Sequence, residues 1–234
     1  MIRFMLPLLA AVSISPLAAA ERRYTIVDFD RVQIEGPFEV TLATGRPSSA
    51  RALGSNAAIE RVALDVQGRT LRIRANRSAW GGYPGEGSGP VKIEISAHSV
   101  RAASLAGSGS LLIDKARSMR FDLALAGAGR IGIGGIETDM LTISQLGSGK
   151  VSIAGKAKSL RATIQGSGDL DGQGLIAEDA QIHANTAGAV GISARRAASV
   201  TSSGQGDVTV VGSPACTVKQ LGSGRIFCGS SDQR

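Results

Sequence analysis

The sequence predicts an all-β chain: a right-handed parallel β-helix whose coils of about 20 residues turn on Gly-Ser-Gly corners. Three observations carry this. The 234 residues include 31 glycines, about twice the usual share of roughly 7%, while aromatic residues make up only 3%. A glycine-centred tripeptide recurs at nearly constant spacing through the C-terminal two thirds, and alternating apolar residues flank its copies. Such a composition disfavours a globular enzyme with a large aromatic core and suits short strands joined by tight turns, where glycine reaches backbone conformations closed to other residues.

The chain opens with Arg3, an apolar run from Phe4 to Val12 and the small residues Ala18-Ala19-Ala20. This order is that of a secretory signal peptide over residues 1–20, with Glu21 as the mature N-terminus. Pro7, Ser13, Ser15 and Pro16 break the run before it reaches the roughly 20 apolar residues a membrane span needs. Both cysteines, Cys216 and Cys228, lie far from the cleavage site, which argues against a lipid anchor there. The expected location is therefore periplasmic or extracellular. Removing residues 1–20 removes Arg3 and no acid, leaving 25 basic and 19 acidic residues, an excess of +6. These charges are scattered rather than gathered into a basic stripe with stacking aromatics, so nucleic acid is not an expected partner. Anionic glycans, lipid A or other envelope components suit a basic exported protein better.

Residues 21–98 are less regular than the C-terminal two thirds. Phe38, Val40 and Leu42 alternate, as do Val62, Leu64 and Val66, then Leu71 and Ile73, then Val91, Ile93 and Ile95. Each set reads as a strand with one buried face, and together they are expected to form wider initial coils covering the solenoid's first end. The mature chain, residues 21–234, is read as a single domain.

Residues 99–234 hold the regular coils. Gly107-Ser108-Gly109, Gly127-Ala128-Gly129, Gly147-Ser148-Gly149, Gly166-Ser167-Gly168, Thr186-Ala187-Gly188, Gly204-Gln205-Gly206 and Gly222-Ser223-Gly224 form one series. Their first positions are separated by 20, 20, 19, 20, 18 and 18 residues. Apolar residues stand four and six positions after these, as in Leu111 and Ile113 or Ile131 and Ile133, and six and four before them, as in Phe121 and Leu123 or Leu141 and Ile143. A unit this small cannot bury its own apolar face, so each strand is expected to pair in parallel with its counterpart one repeat later. Right-handedness follows from the preferred hand of parallel crossovers. A positive φ is expected at one of Gly147 and Gly149, the other being dispensable. Propeller blades repeat at about 40 to 50 residues and sandwiches show no fixed glycine period, which excludes both.

The segment Phe29-Asp30-Arg31-Val32-Gln33-Ile34-Glu35-Gly36-Pro37-Phe38-Glu39-Val40-Thr41-Leu42 continues through Leu71-Arg72-Ile73 and Val91-Lys92-Ile93-Glu94-Ile95 into the Gly-Ser-Gly coils. This pattern resembles the bacterial auto-transporter adhesin, head GIN domain family over nearly the whole mature chain. The resemblance implies an exported β-helical protein with an adhesin-like role, and brings no catalytic motif.

Few residues suggest chemistry. His98 and His183, the only histidines, have no ligand at metal-binding spacing, so neither a metal nor a cofactor is implied. The serines are corner residues outside any nucleophile elbow. Each Gly-Ser-Gly precedes a strand rather than a helix, which excludes a phosphate loop. Asp169, Asp171 and Asp207 on one outward face could form the paired carboxylates of a polysaccharide-processing enzyme. The competing reading pairs Lys150 with Asp169 and Asp207 with Arg225 on adjacent coils, a charge ladder whose neutralised acids suit catalysis poorly. Trp80 and Tyr83, in the glycine-rich segment 78–90, are the candidate binding residues, since aromatics on a loop stack on sugars or anchor partners. Cys216 and Cys228 occupy the two inward slots six positions before and after Gly222, where export would join them in a disulfide. The preferred function is a non-enzymatic adhesin-like or envelope-associated interaction module; the alternatives are the β-helix enzyme and a structural rod assembling end to end.

Overall fold

The computed structural model describes residues 20–76 and 91–229. Among them are seventeen strands and one short helix, arranged as a parallel β-solenoid of about six turns with coils of roughly 20 residues.

The N-terminal region contains β1 (Ala20–Tyr24), β2 (Arg31–Glu35), β3 (Glu39–Thr44), β4 (Ser49–Gly54), α1 (Asn56–Glu60), β5 (Val62–Gln67), β6 (Thr70–Ala75) and β7 (Lys92–Ala97). The four alternating sets expected there fall on β3, β5, β6 and β7, except that Phe38 and Val91 stand one residue before β3 and β7. Helix α1 opens on Ser55, whose side chain accepts from the Ala58 N–H and so satisfies a free first-turn donor. Strand alternation gives no sign of so short a helix.

The regular coils comprise β8 (Ala102–Ala106), β9 (Ser110–Ile113), β10 (Ala116–Ala126), β11 (Arg130–Gly147), β12 (Lys150–Gly166), β13 (Asp169–Thr186), β14 (Val190–Ser202), β15 (Val208–Val211), β16 (Ala215–Gln220) and β17 (Ile226–Cys228). Each pairs in parallel with the equivalent stretch one repeat on. Arg130 faces Lys150, Lys150 faces Asp169, and Leu141 faces Leu160. Inward columns such as Leu111, Ile131, Val151, Leu170, Val190 and Val208 are buried throughout and form the core. One column shrinks from Phe121 through Leu141 and Leu160 to Ala180 and Ala198. The repeat shortens from 20 to 18 residues along the same direction, and smaller side chains fill the narrower bore at constant packing density.

The corners explain why the repeat is written in glycine. In Gly107, Gly127, Gly147 and Gly166 φ lies between +111° and +114°, closed to ordinary L residues. The second glycine is needed for a different reason. Gly149 is buried, and a Cβ there would lie 2.5 Å from the Gly129 carbonyl oxygen of the coil below. Neither glycine is dispensable, which corrects the expectation from sequence. Thr186 takes the first position without positive φ; its Oγ1 donates to the Gly168 carbonyl and accepts from the Gly188 N–H.

The order of coils along the axis is not the order of the chain. Strands β2 and β3 pair with β8 and β9 on one side and with β6 and β7 on the other, all in parallel. The earliest coil is therefore second in the stack. The end itself is covered by antiparallel strands: β5 lies on β6, β4 on β7 and β1 on β4. The expected wider coils thus resolve into an inserted coil plus an antiparallel cap. Asp30 laces this region, its Oδ2 accepting from Arg69 Nε and Arg101 Nε, both at 2.8 Å.

Candidate functional site

The acids proposed from sequence lie on the strand that leaves each corner, where alternate side chains face outward. Asp169 and Asp171 are both exposed on β13. Asp169 faces Lys150 in register, but its Oδ1 accepts instead from the Ala189 N–H of the next coil at 2.9 Å. The expected Lys150–Asp169 ion pair is thus replaced by a bond to the backbone, because a fixed N–H one coil away needs no long side chain ordered to meet it. Asp207 meets Arg225 as expected. Its Oδ1 accepts from the Arg225 N–H at 2.9 Å and its Oδ2 from Nη2 at 3.0 Å. The backbone bond first, then the guanidinium, hold the Asp207 carboxyl below its ordinary range. A general acid for glycosidic cleavage needs the opposite displacement. Asp114 acts alike elsewhere, its Oδ1 accepting from the Thr44 N–H at 3.0 Å and the Lys115 N–H at 2.6 Å. These carboxylates bond one coil to the next.

A second outward feature runs along the corner opposite the glycines. A groove of about 520 Å³ is lined by Arg117, Met119, Glu137, Asp139, Lys156 and Lys158 among others. Two pairs of its charges meet: Arg117 with Glu137 at 3.2 Å and Lys158 with Asp139 at 2.8 Å. Arg196 pairs with Asp179 nearby. No motif in the sequence marked this edge, because Arg117 and Met119, Glu137 and Asp139, and Lys156 and Lys158 read as ordinary outward residues of β10, β11 and β12.

Inside the bore, sequence reasoning missed Gln145. It occupies the column of Leu125 and Ile164, and its Nε2 donates to the carbonyls of Gly149 at 2.7 Å and Asp169 at 3.2 Å. A lone amide in an otherwise aliphatic column two residues before a corner was the available signal. It ties the corner from within.

His98 and His183 are both exposed. Among the described residues no group of three His, Cys, Asp or Glu side chains is placed to hold a metal ion, and no helix is long and apolar enough to cross a membrane. Trp80 and Tyr83 lie outside the described residues, in the segment that joins β6 to β7. Cys216 and Cys228 form the expected disulfide, with Cα atoms 6.3 Å apart.

Taken together, these features define a parallel β-solenoid in which Asp114, Asp169 and Asp207 bond one coil to the next. The chain belongs to the family described as putative auto-transporter adhesin, head GIN domain, which matches residues 28–214. Solved structures share the fold. A putative adhesin from Bacteroides fragilis is 18% identical with a TM-score of 0.79, over 90% of this chain and 97% of that one. A putative lipid binding protein from Parabacteroides distasonis is 19% identical with a TM-score of 0.71, over 91% and 97%. A putative adhesin from Parabacteroides merdae is 14% identical with a TM-score of 0.68, over 91% and 96%. No curated protein matches the chain.

Proposed function

We propose that this chain is an exported, non-enzymatic, adhesin-like interaction module that recognises glycans or other cell-envelope components. The observation that carries the reading is the engagement of two of the three candidate carboxylates by the next coil, Asp207 by Arg225 and Asp169 by Ala189, which leaves the exposed Asp171 without a free acid to work with. Membership of the adhesin family supports the same direction. Residues 1–20 act as the export signal and deliver the chain to the periplasm or beyond. Trp80 and Tyr83 are the proposed contact residues, stacking on a sugar or anchoring a partner. The +6 balance of the mature chain draws it toward anionic envelope surfaces, an attraction that weakens with salt.

A glycan and envelope-component binding array, followed by a reducing-end assay on every ligand bound, tests the reading. Binding without release of reducing ends is the expected result. Release of reducing ends that Asp169→Asn or Asp207→Asn abolishes would replace the module with an enzyme, and absence of binding to every component would overturn the adhesin-like role.

A further inference from the structure

We propose that the groove along the edge opposite the glycine corners binds an acidic glycan, one that carries a carboxylate on every second sugar. This rests on the adhesin-like reading, for which it names a ligand class and a surface other than Trp80 and Tyr83. The groove has a regular build. Its floor is the column Ser118, Thr138 and Ala157, which Ala177 and Ala194 continue through the next two coils. All but Ser118 are buried. The residues before the floor form one wall, Arg117, Glu137, Lys156 and Ile176, and those after it the other, Met119, Asp139, Lys158, Glu178 and Arg195. Five stacked strands, β10 to β14, give a length of about 19 Å. The volume of about 520 Å³ falls within the range of ligand-binding clefts.

The charges on the walls set the ligand. Arg117 pairs with Glu137 and Lys158 with Asp139, whereas Lys156 and Arg195 have no ion-pair partner among the described residues. These two free cations stand on opposite walls, in β12 and β14. Two coils separate them, about 9.6 Å along the axis, close to the length of a disaccharide. Between them β13 places Glu178, whose charge acts on Lys158 and Arg196. A carboxylate is therefore attracted at either end of this stretch and repelled in its middle, a pattern that selects by rejection as well as by contact. An acid on every second sugar fits it. An unbroken run of acids does not.

The uncharged surroundings favour sugar over peptide. From β11 to β13 the backbone at this edge is paired on both sides, so no strand edge is free there for an extended peptide to join. The alanines of the floor leave a flat apolar strip, with half-buried Ile176 on one wall and Met119, 81% exposed, on the other. The C–H face of a sugar ring lies on such a strip while its carboxylate and hydroxyls reach the walls. Ser118 and Thr138 already donate their hydroxyl protons to the Arg120 and Met140 carbonyls, which leaves both oxygens to accept from sugar hydroxyls.

Isothermal titration calorimetry of the full chain at about 0.15 M salt, where long-range attraction is screened, is the test. The probes are a hyaluronan octasaccharide, with a uronate on every second sugar, its carboxyl-reduced form, and an oligogalacturonate of the same length, with a uronate on every sugar. Hyaluronan should bind best, and Lys156→Ala or Arg195→Ala should each weaken it about tenfold, the loss of one charge-assisted contact. Lys150→Ala removes the same charge from an exposed position outside the groove and should leave binding unchanged. Glu178→Gln should tighten oligogalacturonate more than hyaluronan, a gain that a damaged fold cannot mimic. Equal binding of the carboxyl-reduced form, or groove variants without effect, overturns the proposal. A glutamate octapeptide bound as tightly as hyaluronan assigns the groove to peptides and overturns it as well. If no probe binds, the acidic-glycan assignment falls, while the envelope-component array still decides the adhesin-like reading by itself.

Discussion

Asp30 and Arg101 are separated by 71 residues in the chain, yet the arginine Nε reaches the carboxylate at 2.8 Å across the boundary between two coils. Arg69 donates to the same oxygen from the other side. Burial pushes the Asp30 carboxyl up, but the hydrogen bonds from Arg69 and Arg101 outweigh it and hold the group below its ordinary range. A carboxyl depressed on folding stabilises the protein fully above its unfolded value of about 3.9, and that contribution is lost as pH falls through the folded value. Asp30→Asn should therefore destabilise the chain by about 1 kcal/mol near neutral pH, a modest figure because both arginines are half exposed. Thermal melts should show the gap closing as pH drops from about 5 to 3. A gap that stayed constant would rule out the charge as its origin.

The corner geometry predicts two different failures at neighbouring positions. Gly147→Ala meets both a positive φ and the Gly127 carbonyl oxygen, 2.6 Å from the added Cβ. Gly149→Ala has an ordinary φ and fails on contact alone, against the Gly129 oxygen at 2.5 Å and Leu125 Cδ2 at 2.7 Å. Each should destabilise by more than about 1 kcal/mol, and Gly149→Val by more still. Ser148→Ala, on the exposed residue between them, should stay within about 0.5 kcal/mol. Equal melting temperatures for Gly149→Val and wild type would remove the steric account.

The same steric demand at the corners is why the fold was readable. A constraint that recurs once per coil imprints itself on the sequence at the coil's period, so Gly107, Gly127, Gly147 and Gly166 announced the solenoid. Alternation at Phe38, Val40 and Leu42 likewise showed that β3 buries one face. It could not show which strands lie on either side, because a ladder of backbone bonds carries no residue code; hence the place of β2 and β3 between later strands was invisible. The Asp207–Arg225 bond was legible from opposite charges one repeat apart. The bond from Ala189 to Asp169 was not, since backbone donors leave no mark on residue identity.

The disulfide should appear as a mass two hydrogens below that of the reduced chain. Closing a loop of about 13 residues contributes near 3 kcal/mol by loop entropy, so reduction should lower the melting temperature and expose β16 to exchange first. Cysteines that alkylate fully on unfolding without reductant would contradict the bond.

Trp80 and Tyr83 offer a separation of binding from folding. If the pair contacts a ligand, replacing both with Ala should leave the melting temperature nearly unchanged and weaken adhesion to glycans or cells several-fold. Loss of cooperative unfolding in the double variant would instead make them part of the packed structure.

The displaced coil order reaches beyond statics, into the timing of folding during synthesis. A simple solenoid can grow one coil at a time behind the ribosome, each new turn adding to a finished neighbour. Here β2 and β3 emerge early but find their neighbours only when β6 through β9 have been made, and Asp30 waits for Arg101, 71 residues later. Such distant pairing makes the first step slow and leaves apolar strands temporarily uncovered. Growth from β10 onward, by contrast, needs only the coil just completed. A nascent chain ending near residue 90 should therefore stay protease-sensitive, and resistance should set in abruptly once β9 has cleared the exit tunnel.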